Sequence, residues 1–168
     1  YNNYGFHGTG FSCAVDQLMA VKELVFDTDR LESGELLKAL DADFAGYDDL
    51  RYELRTRAPK IGNDEDARKL GDELLRIFAR SLEGLHNERG GIFRAGTGTA
   101  MYYLWHSENL PATSDGRNAG QPLPANFSPS LFIQDAGPLS VVNAFALPSL
   151  VHTINGGPLT LELHDTVF

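Results

Sequence analysis

Residues 1–26 read YNNYGFHGTGFSCAVDQLMAVKELVF and contain the two features that decide the fold. The glycine-rich stretch at 5–10 predicts tight turns, because glycine adopts backbone conformations that other residues avoid. Residues 13–26 then place apolar side chains at helical spacing, with Ser12 as the predicted N-cap. The opening of the sequence therefore predicts a tight turn that leads into an amphipathic helix.

Three further helices are predicted in the first half of the chain. Residues 34–42 and 48–57 each show a short helical pattern. The strongest pattern runs from Asp64 to Leu85, with Asn63 as the predicted cap. The acids that open this helix suit the positive end of the helix dipole. The first half of the chain is therefore expected to be rich in helices.

The second half predicts a different kind of structure. Residues 99–105, TAMYYLW, crowd aromatic and apolar side chains into a short run and predict a buried strand. Residues 107–130 predict a long loop, 138–147 a helix, and 158–163 a strand with alternating side chains. The expected fold class is α/β, with a helix-rich first half and a second half rich in strands and loops.

Composition excludes several classes of protein. The 168 residues suffice for one domain with a core, and the single cysteine, Cys13, excludes a disulfide framework. A net charge of -9 argues against a nucleic-acid-binding surface. No apolar run approaches the roughly 20 residues that cross a bilayer. We therefore expect a soluble protein of a reducing, cytoplasmic compartment that contacts neither nucleic acid nor membrane.

Charge is distributed unevenly along the chain. Residues 95–168 contain only one basic residue, Arg117. The acids of the same stretch are Glu108, Asp115, Asp135, Glu162 and Asp165. So few charged residues are unusual for a half of a chain that forms a free surface, so we expect the chain to be a piece of a larger protein. Alone, residues 95–168 are expected to expose apolar surface.

Short motifs suggest no reaction by themselves. The glycines at 5–10 and 96–98 do not follow G-x-G-x-x-G, and they favour tight turns over a nucleotide site. The histidines favour structural hydrogen bonds, with His164 and Asp165 as an alternative ligand pair or oriented base. Cys13 favours a small buried residue over a nucleophile activated by the helix dipole. We therefore assign no catalytic, metal-binding or cofactor-binding residue.

The loop at 107–130 carries one positional prediction. Its prolines and glycines impose stiff segments and sharp turns, so its polar groups must be fixed by neighbouring groups. Arg117 is expected to form a charge-assisted hydrogen bond, either with a carboxylate or with backbone carbonyls of the loop. Burying this guanidinium without a partner would cost several kcal/mol.

Four ordered regions of the chain resemble the glycyl radical enzymes, the pyruvate formate-lyase family. In the first, the family core A-D-x-L-x-A-[IV]-K is matched from Ala14 to Lys22, with Val15 inserted. The second, 39–51 with 59–66, resembles N-F-x-G-Y-E-x-L-R followed by P-K-[FY]-G-N-D-[DE]. The remaining two are SDGRNAGQPLPANFSPS at 114–130 and the closing NGGPLTLELHDTVF.

The resemblance implies a fold and a kind of chemistry. Residues 1–168 would be a single segment of a ten-stranded α/β barrel. In the family, a separate S-adenosylmethionine and iron–sulfur activating enzyme installs a glycyl radical, which oxidises a cysteine to the thiyl that attacks substrate. The G-C-V-E-like and R-V-x-G-Y-like motifs of these two sites do not occur here, and Cys13 does not match the first. The segment alone is therefore expected to be inactive and to bind no cofactor.

The function that the resemblance implies is a formate C-acetyltransferase-like cleavage of a small 2-oxo acid. Two alternatives stay open. One is a glycyl radical dehydratase or C–N, C–S or C–C lyase acting on a small polar substrate, and the other is a non-catalytic scaffold module. The implied partners are the rest of the parent chain, the activating enzyme, a small-molecule substrate and a second copy in a homodimer.

The ANFSPS turn contains the predicted substrate-pocket residues Asn126, Phe127 and Ser128. The amide and the hydroxyl could offer hydrogen bonds to a substrate, while the phenyl ring shapes the pocket. A rigid turn without a ligand is the alternative. In the complete enzyme this turn is expected to face the cavity of the barrel.

Overall fold

The computed structural model describes residues 3–133, 137–146 and 148–159, and helices dominate this part of the chain. The elements lie in the order β1 (Tyr4–His7), α1 (Phe11–Val21), a π-helix (Lys22–Asp27), α2 (Ser33–Asp41), α3 (Asp48–Thr56), α4 (Glu65–Ser81), β2 (Phe93–Gly96), α5 (Tyr102–Ser107), α6 (Pro138–Ala146) and a 3-10 helix (Leu150–His152). The prediction of a helix-rich first half is confirmed.

Strands β1 and β2 form a parallel pair, and helices α1 to α4 lie in the connection between them. The paired residues are Tyr4 with Phe93, Gly5 with Arg94, Phe6 with Ala95 and His7 with Gly96. Residues 155 and 156 lie beside the end of β2, because the Asn155 N–H donates to the Ala95 carbonyl and the Thr97 N–H to the Gly156 carbonyl. The turn predicted at 5–10 is therefore wrong for its first residues, which pair with a strand far along the chain.

Helix α1 begins at Phe11, earlier than predicted. Its N-cap is Gly10, whose carbonyl accepts the Ala14 N–H at 2.9 Å. Ser12 lies inside the helix, and its buried hydroxyl has no hydrogen-bond partner within the described chain, so the prediction of Ser12 as cap is wrong. The helical path then continues through the π-helix to Asp27, which confirms the predicted extent of this segment.

Helices α2, α3 and α4 confirm the remaining predictions of the first half, with small changes at their ends. Helix α4 ends at Ser81, four residues before its predicted end. Its cap is Asp64 rather than Asn63, because the Asp64 carboxylate accepts the Ala67 N–H at 2.8 Å. The Asn63 side chain instead accepts the N–H of Lys60 in the preceding turn.

Two apolar clusters form the core. The first is built mainly by the π-helix, α2 and α3, and its buried members are Ala20, Leu24, Leu31, Leu36, Ala39, Phe44, Leu54, Ala58 and Ala112. The second lies between α1 and α4, and its buried members are Val15, Met19, Ile61, Ala67, Leu75 and Phe127. Because Ala112 and Phe127 belong to these clusters, the long loop is part of the packed core.

The buried strand predicted at 99–105 is wrong. Ala100 adopts a positive φ of 47°, which turns the chain, and helix α5 follows. Tyr102 and Trp105, one helical turn apart, pack edge to face at 5.2 Å. The helix at 138–147 is confirmed as α6, except for residue 147, which lies outside the described residues, as does most of the strand predicted at 158–163.

The long loop lies directly on helix α3 at Gly116. This glycine has a φ of +88°, and a Cβ there would lie 3.0 Å from the backbone carbonyl oxygen of Arg51 and 3.2 Å from the Arg55 backbone nitrogen. The close approach lets Arg51 Nε donate to the Gly116 carbonyl at 3.3 Å. Gly116 therefore fixes the distance between the loop and the helix.

Replacing Gly116 with alanine should destabilise the chain more than the same change at Gly120. Both residues have a positive φ, but a Cβ at Gly120 would meet no atom of the described residues within 4 Å. The two variants share the backbone strain, and only Gly116→Ala adds a steric clash, which should cost about 1–3 kcal/mol more. Urea denaturation of both variants measures the difference, and equal losses would contradict the close packing.

Large apolar side chains lie on the surface of both halves. Those most exposed in the second half are Met101, Tyr102, Trp105, Leu131, Leu139, Val151 and Ile154. The expectation that residues 95–168 expose apolar surface is confirmed for their described part. Within that part and the rest of the described chain, no helix combines the length and the apolar character needed to span a membrane.

Candidate functional site

Polar side chains converge where the two parallel strands end. His7 closes β1, and the amide Nδ2 of Asn155 lies 2.8 Å from its Nε2. Thr97 follows β2 directly and is buried. Ligands of parallel α/β sheets bind outside the carboxyl ends of the strands. This edge, with His7, residues 97–99 and residues 155–157, is the candidate functional site.

Glycines allow three backbone segments to meet at this edge. A Cβ on Gly96 would lie 2.8 Å from the Gly156 carbonyl oxygen and from the His7 ring. A Cβ on Gly157 would lie 3.0 Å from the Gly98 backbone nitrogen. Gly96 and Gly157 therefore serve the close packing of chain segments, a role that the predicted tight turns did not include.

The ANFSPS turn is attached to the same edge through Thr99. The Asn126 N–H donates to Thr99 Oγ1 at 2.9 Å, and Asn126 Oδ1 accepts the Thr99 N–H at 2.9 Å. Both residues are buried, and Asn126 has a positive φ of 56°. This reciprocal pair holds the turn against the segment that leaves β2.

The other two predicted pocket residues have different surroundings. Phe127 is 2% exposed and packs in the cluster between α1 and α4. The Ser128 hydroxyl is buried and has no hydrogen-bond partner among the described residues, and the residue lines a groove of about 350 Å³ together with Tyr103 and Leu123. The role of Asn126, Phe127 and Ser128 in substrate contact stays a prediction.

Arg117 organises the loop that leads to this turn. Its side chain is fully buried, and Nη1 donates to the carbonyls of Asn118 and Gln121 at 3.0 and 2.9 Å. Nη2 donates to the Pro111 carbonyl, and Nε donates to Thr113 Oγ1 at 3.2 Å. The predicted charge-assisted hydrogen bonds are confirmed: three acceptors are backbone carbonyls of the loop, and the fourth is the Thr113 hydroxyl.

A buried acid and a buried base lie between α1, α3 and the start of α4. Asp16 Oδ1 accepts the Ile61 N–H at 2.8 Å, and Lys60 Nζ donates to the Leu54 carbonyl at 2.7 Å. Burial raises the pKa of Asp16 to about 7, although the charge of Lys60 opposes this shift. No group in the described part of the chain hydrogen-bonds to Asp16 Oδ2, and the nearby Ser130 hydroxyl lowers the pKa of Asp16 by less than burial raises it.

Cys13 lies next to this pair and is buried. Burial raises the pKa of its thiol well above the usual value, and the charges of Asp115 and Asp16 raise it further. A raised pKa keeps the thiol protonated and therefore unreactive. The structure thus agrees with the interpretation of Cys13 as a small buried residue rather than a nucleophile.

The stability of the chain should fall as the pH rises from about 4 to about 7 through the contribution of Asp16. Its pKa is about 7 in the folded chain and near 3.8 when unfolded, so the stabilising contribution is complete below the lower value and lost through the upper one. Asp16→Asn keeps the acceptor for Ile61 and cannot ionise. Denaturation midpoints of both proteins across this range should show a smaller decline in the variant. Identical pH profiles would contradict the raised pKa.

Sequence reasoning did not find the His7–Asn155 contact or the role of Thr99. These residues are separated from their partners by 148 and 27 positions, and no local pattern links them. The available signal was a glycine next to three of these residues, at Gly8, Gly98 and Gly156, which marks a close approach of backbones without identifying the partner.

The two parallel strands are joined through helices and have a polar edge at their carboxyl ends. These features define part of an α/β protein. Residues 1–106 match the family described as pyruvate formate lyase-like. Trans-4-hydroxy-L-proline dehydratase from Clostridioides difficile is 30% identical over 160 residues, 95% of this chain and 20% of the dehydratase. Isethionate sulfite-lyase from Bilophila wadsworthia is 34% identical over 83% of this chain and 17% of the lyase. The structure of the glycerol-bound B12-independent glycerol dehydratase from Clostridium butyricum gives a TM-score of 0.85 at 34% identity. The match covers 93% of this chain and 20% of the dehydratase chain.

The chain belongs to the pyruvate formate lyase-like family of glycyl radical enzymes. The resemblance that the sequence motifs indicate is confirmed. The chain spans about a fifth of the length of the relatives it matches.

Proposed function

We propose that the full-length protein is a glycyl radical dehydratase or lyase acting on a small polar substrate, and that residues 1–168 form one segment of its ten-stranded barrel domain. The observation that carries this proposal is 30% identity to a hydroxyproline dehydratase over 95% of the chain. The similarity to the fold of a glycerol dehydratase supports it independently.

A formate C-acetyltransferase acting on a small 2-oxo acid is the second candidate, since the family takes its name from that type of enzyme. The relatives described above are dehydratases and a sulfite-lyase, which favours elimination chemistry over acyl transfer. A non-catalytic scaffold module is the third candidate. The presence of the thiyl and glycyl radical motifs elsewhere in the full-length protein would separate an enzyme from a scaffold.

In this proposal the radical chemistry comes from a cysteine and a glycine elsewhere in the full-length protein, with the glycyl radical installed by a separate activating enzyme. The residues of this chain would bind and orient the substrate and exclude water. Asn126 keeps the ANFSPS turn in register through Thr99, and Phe127 anchors the turn in the core. Ser128 carries a buried hydroxyl to which no described group hydrogen-bonds, and this hydroxyl would bind the substrate.

The function is tested on the full-length protein after anaerobic activation by its activating enzyme. We expect the doublet of a glycyl radical in the electron paramagnetic resonance spectrum, followed by turnover of glycerol, trans-4-hydroxy-L-proline or isethionate. Turnover of pyruvate with coenzyme A instead would support the second candidate. Absence of the doublet would support the scaffold. The 168-residue segment alone should give neither doublet nor turnover.

Replacing Ser128 with alanine should lower kcat/KM of the activated full-length protein by about tenfold, because one substrate hydrogen bond is lost. Ser140→Ala is the matched control, since Ser140 is exposed on α6. Steady-state kinetics of the two variants make the comparison. Equal kcat/KM values would remove Ser128 from the substrate site.

A further inference from the structure

A second groove lies between helix α3 and the segment that follows the ANFSPS turn. Its volume is about 410 Å³, which is in the range of small-molecule sites. Arg51, Tyr52 and Arg55 of α3 line one side, and Leu131 and Phe132 line the other. None of these residues belongs to the candidate site at the ends of the strands. The groove thus combines two cationic groups with an apolar wall.

Both arginine side chains in this groove are held by neighbouring groups. Arg51 Nε donates to the Gly116 carbonyl at 3.3 Å. The guanidinium carbon of Arg55 lies 4.0 Å from the centroid of the Phe132 ring, which is cation–π geometry. The two residues are four positions apart on α3 and therefore share one face of the helix. Their charges are concentrated at one place on a chain of net charge -9.

Within the described residues, neither arginine forms an ion pair with a carboxylate. Like charges four positions apart on a helix repel each other, and burial together with the charge of Arg51 lowers the pKa of Arg55. Asp115 attracts Arg55, but its carboxylate is buried and accepts the Thr113 hydroxyl. A bound anion would therefore relieve a repulsion that the folded chain contains.

We propose that Arg51 and Arg55 bind an oxyanion, the carboxylate or phosphate group of a small organic ligand, whose apolar part rests on Phe132 and Leu131. A guanidinium presents parallel N–H donors that fit either group. The exposed carboxylate of Asp48 lies in the same groove and repels further negative charge, which disfavours a polyanion. The ligand is therefore a small anion of low charge.

The test is calorimetric titration of the full-length protein with inorganic phosphate and, separately, with acetate. Saturable binding should weaken by about tenfold in Arg55→Gln, because a charge-assisted hydrogen bond is lost. Arg80→Gln, which removes the same charge from an exposed position on α4, should bind as the unmodified protein does. The tighter of the two anions identifies the group that the site prefers.

A second variant distinguishes a lost anion contact from a misfolded protein. Arg55→Lys retains the charge but loses the planar fork, so its affinity should lie between those of Arg55→Gln and the unmodified protein. Circular dichroism verifies that each variant is folded before titration. Absence of saturable binding by both anions, or equal affinity in Arg55→Gln and the unmodified protein, would overturn the proposal.

Discussion

Replacing Arg117 with methionine should lower the free energy of unfolding by about 3–5 kcal/mol, because the guanidinium is fully buried and all its hydrogen bonds go to the loop it organises. Methionine has a similar length and leaves the carbonyls of Pro111, Asn118 and Gln121 without their donor. The variant therefore loses the charge-assisted hydrogen bonds that hold these three carbonyls together. Urea denaturation monitored by circular dichroism measures the change.

Two comparisons locate the origin of this loss. Arg80→Met removes a guanidinium from an exposed position and should change stability by less than about 0.5 kcal/mol. Arg117→Lys keeps the positive charge but cannot donate in three directions from a planar group, so its loss should approach that of the methionine variant. A lysine variant as stable as the unmodified chain would mean that charge alone, rather than the fork of donors, holds the loop.

The elements that the sequence predicts well are those whose pattern is local. Helix α4 shows a long helical stripe with acids in its first turn, and the structure places it within a few residues of the predicted bounds. The error at its cap is small because Asn63 and Asp64 both suit that position, and only the geometry of the preceding turn decides between them. The helical periodicity of the sequence thus predicts most of the elements in the first half of the fold.

Elements with distant partners could not be predicted in this way. Strand β1 exists because residues 4–7 pair with residues 93–96, and these four residues open a glycine-rich stretch that does not suggest a strand. The run at 99–105 is too short for periodicity to separate a strand from a helix. The positive φ of Ala100 turns the chain there, and most of the run forms helix α5. The same limit applies to the candidate site, since the contact between Thr99 and Asn126 joins segments 27 positions apart.

Phe127 lies in the ANFSPS turn and packs in the core. Replacing it separates its contribution to stability from a predicted contribution to substrate binding. The ring packs in the cluster with Val15 and Leu75, and its tip lies 3.6 Å from the position that a Cβ on Gly71 of α4 would occupy. Phe127→Ala should therefore lower the free energy of unfolding by about 3–5 kcal/mol, the usual cost of emptying a buried phenylalanine site. Phe127→Leu refills most of the volume and should cost less than about 1.5 kcal/mol.

An exposed phenylalanine supplies the matched control for this prediction. Phe26 is 76% exposed, so Phe26→Ala should change stability by less than about 0.5 kcal/mol. If Phe127 acted only on substrate, its alanine variant would resemble Phe26→Ala in urea denaturation and lose activity in the activated full-length protein. A large loss of stability in Phe127→Ala, recovered in Phe127→Leu, would instead show that the ring anchors the ANFSPS turn. Phe127 would then hold the turn, including its neighbour Ser128, from inside the core.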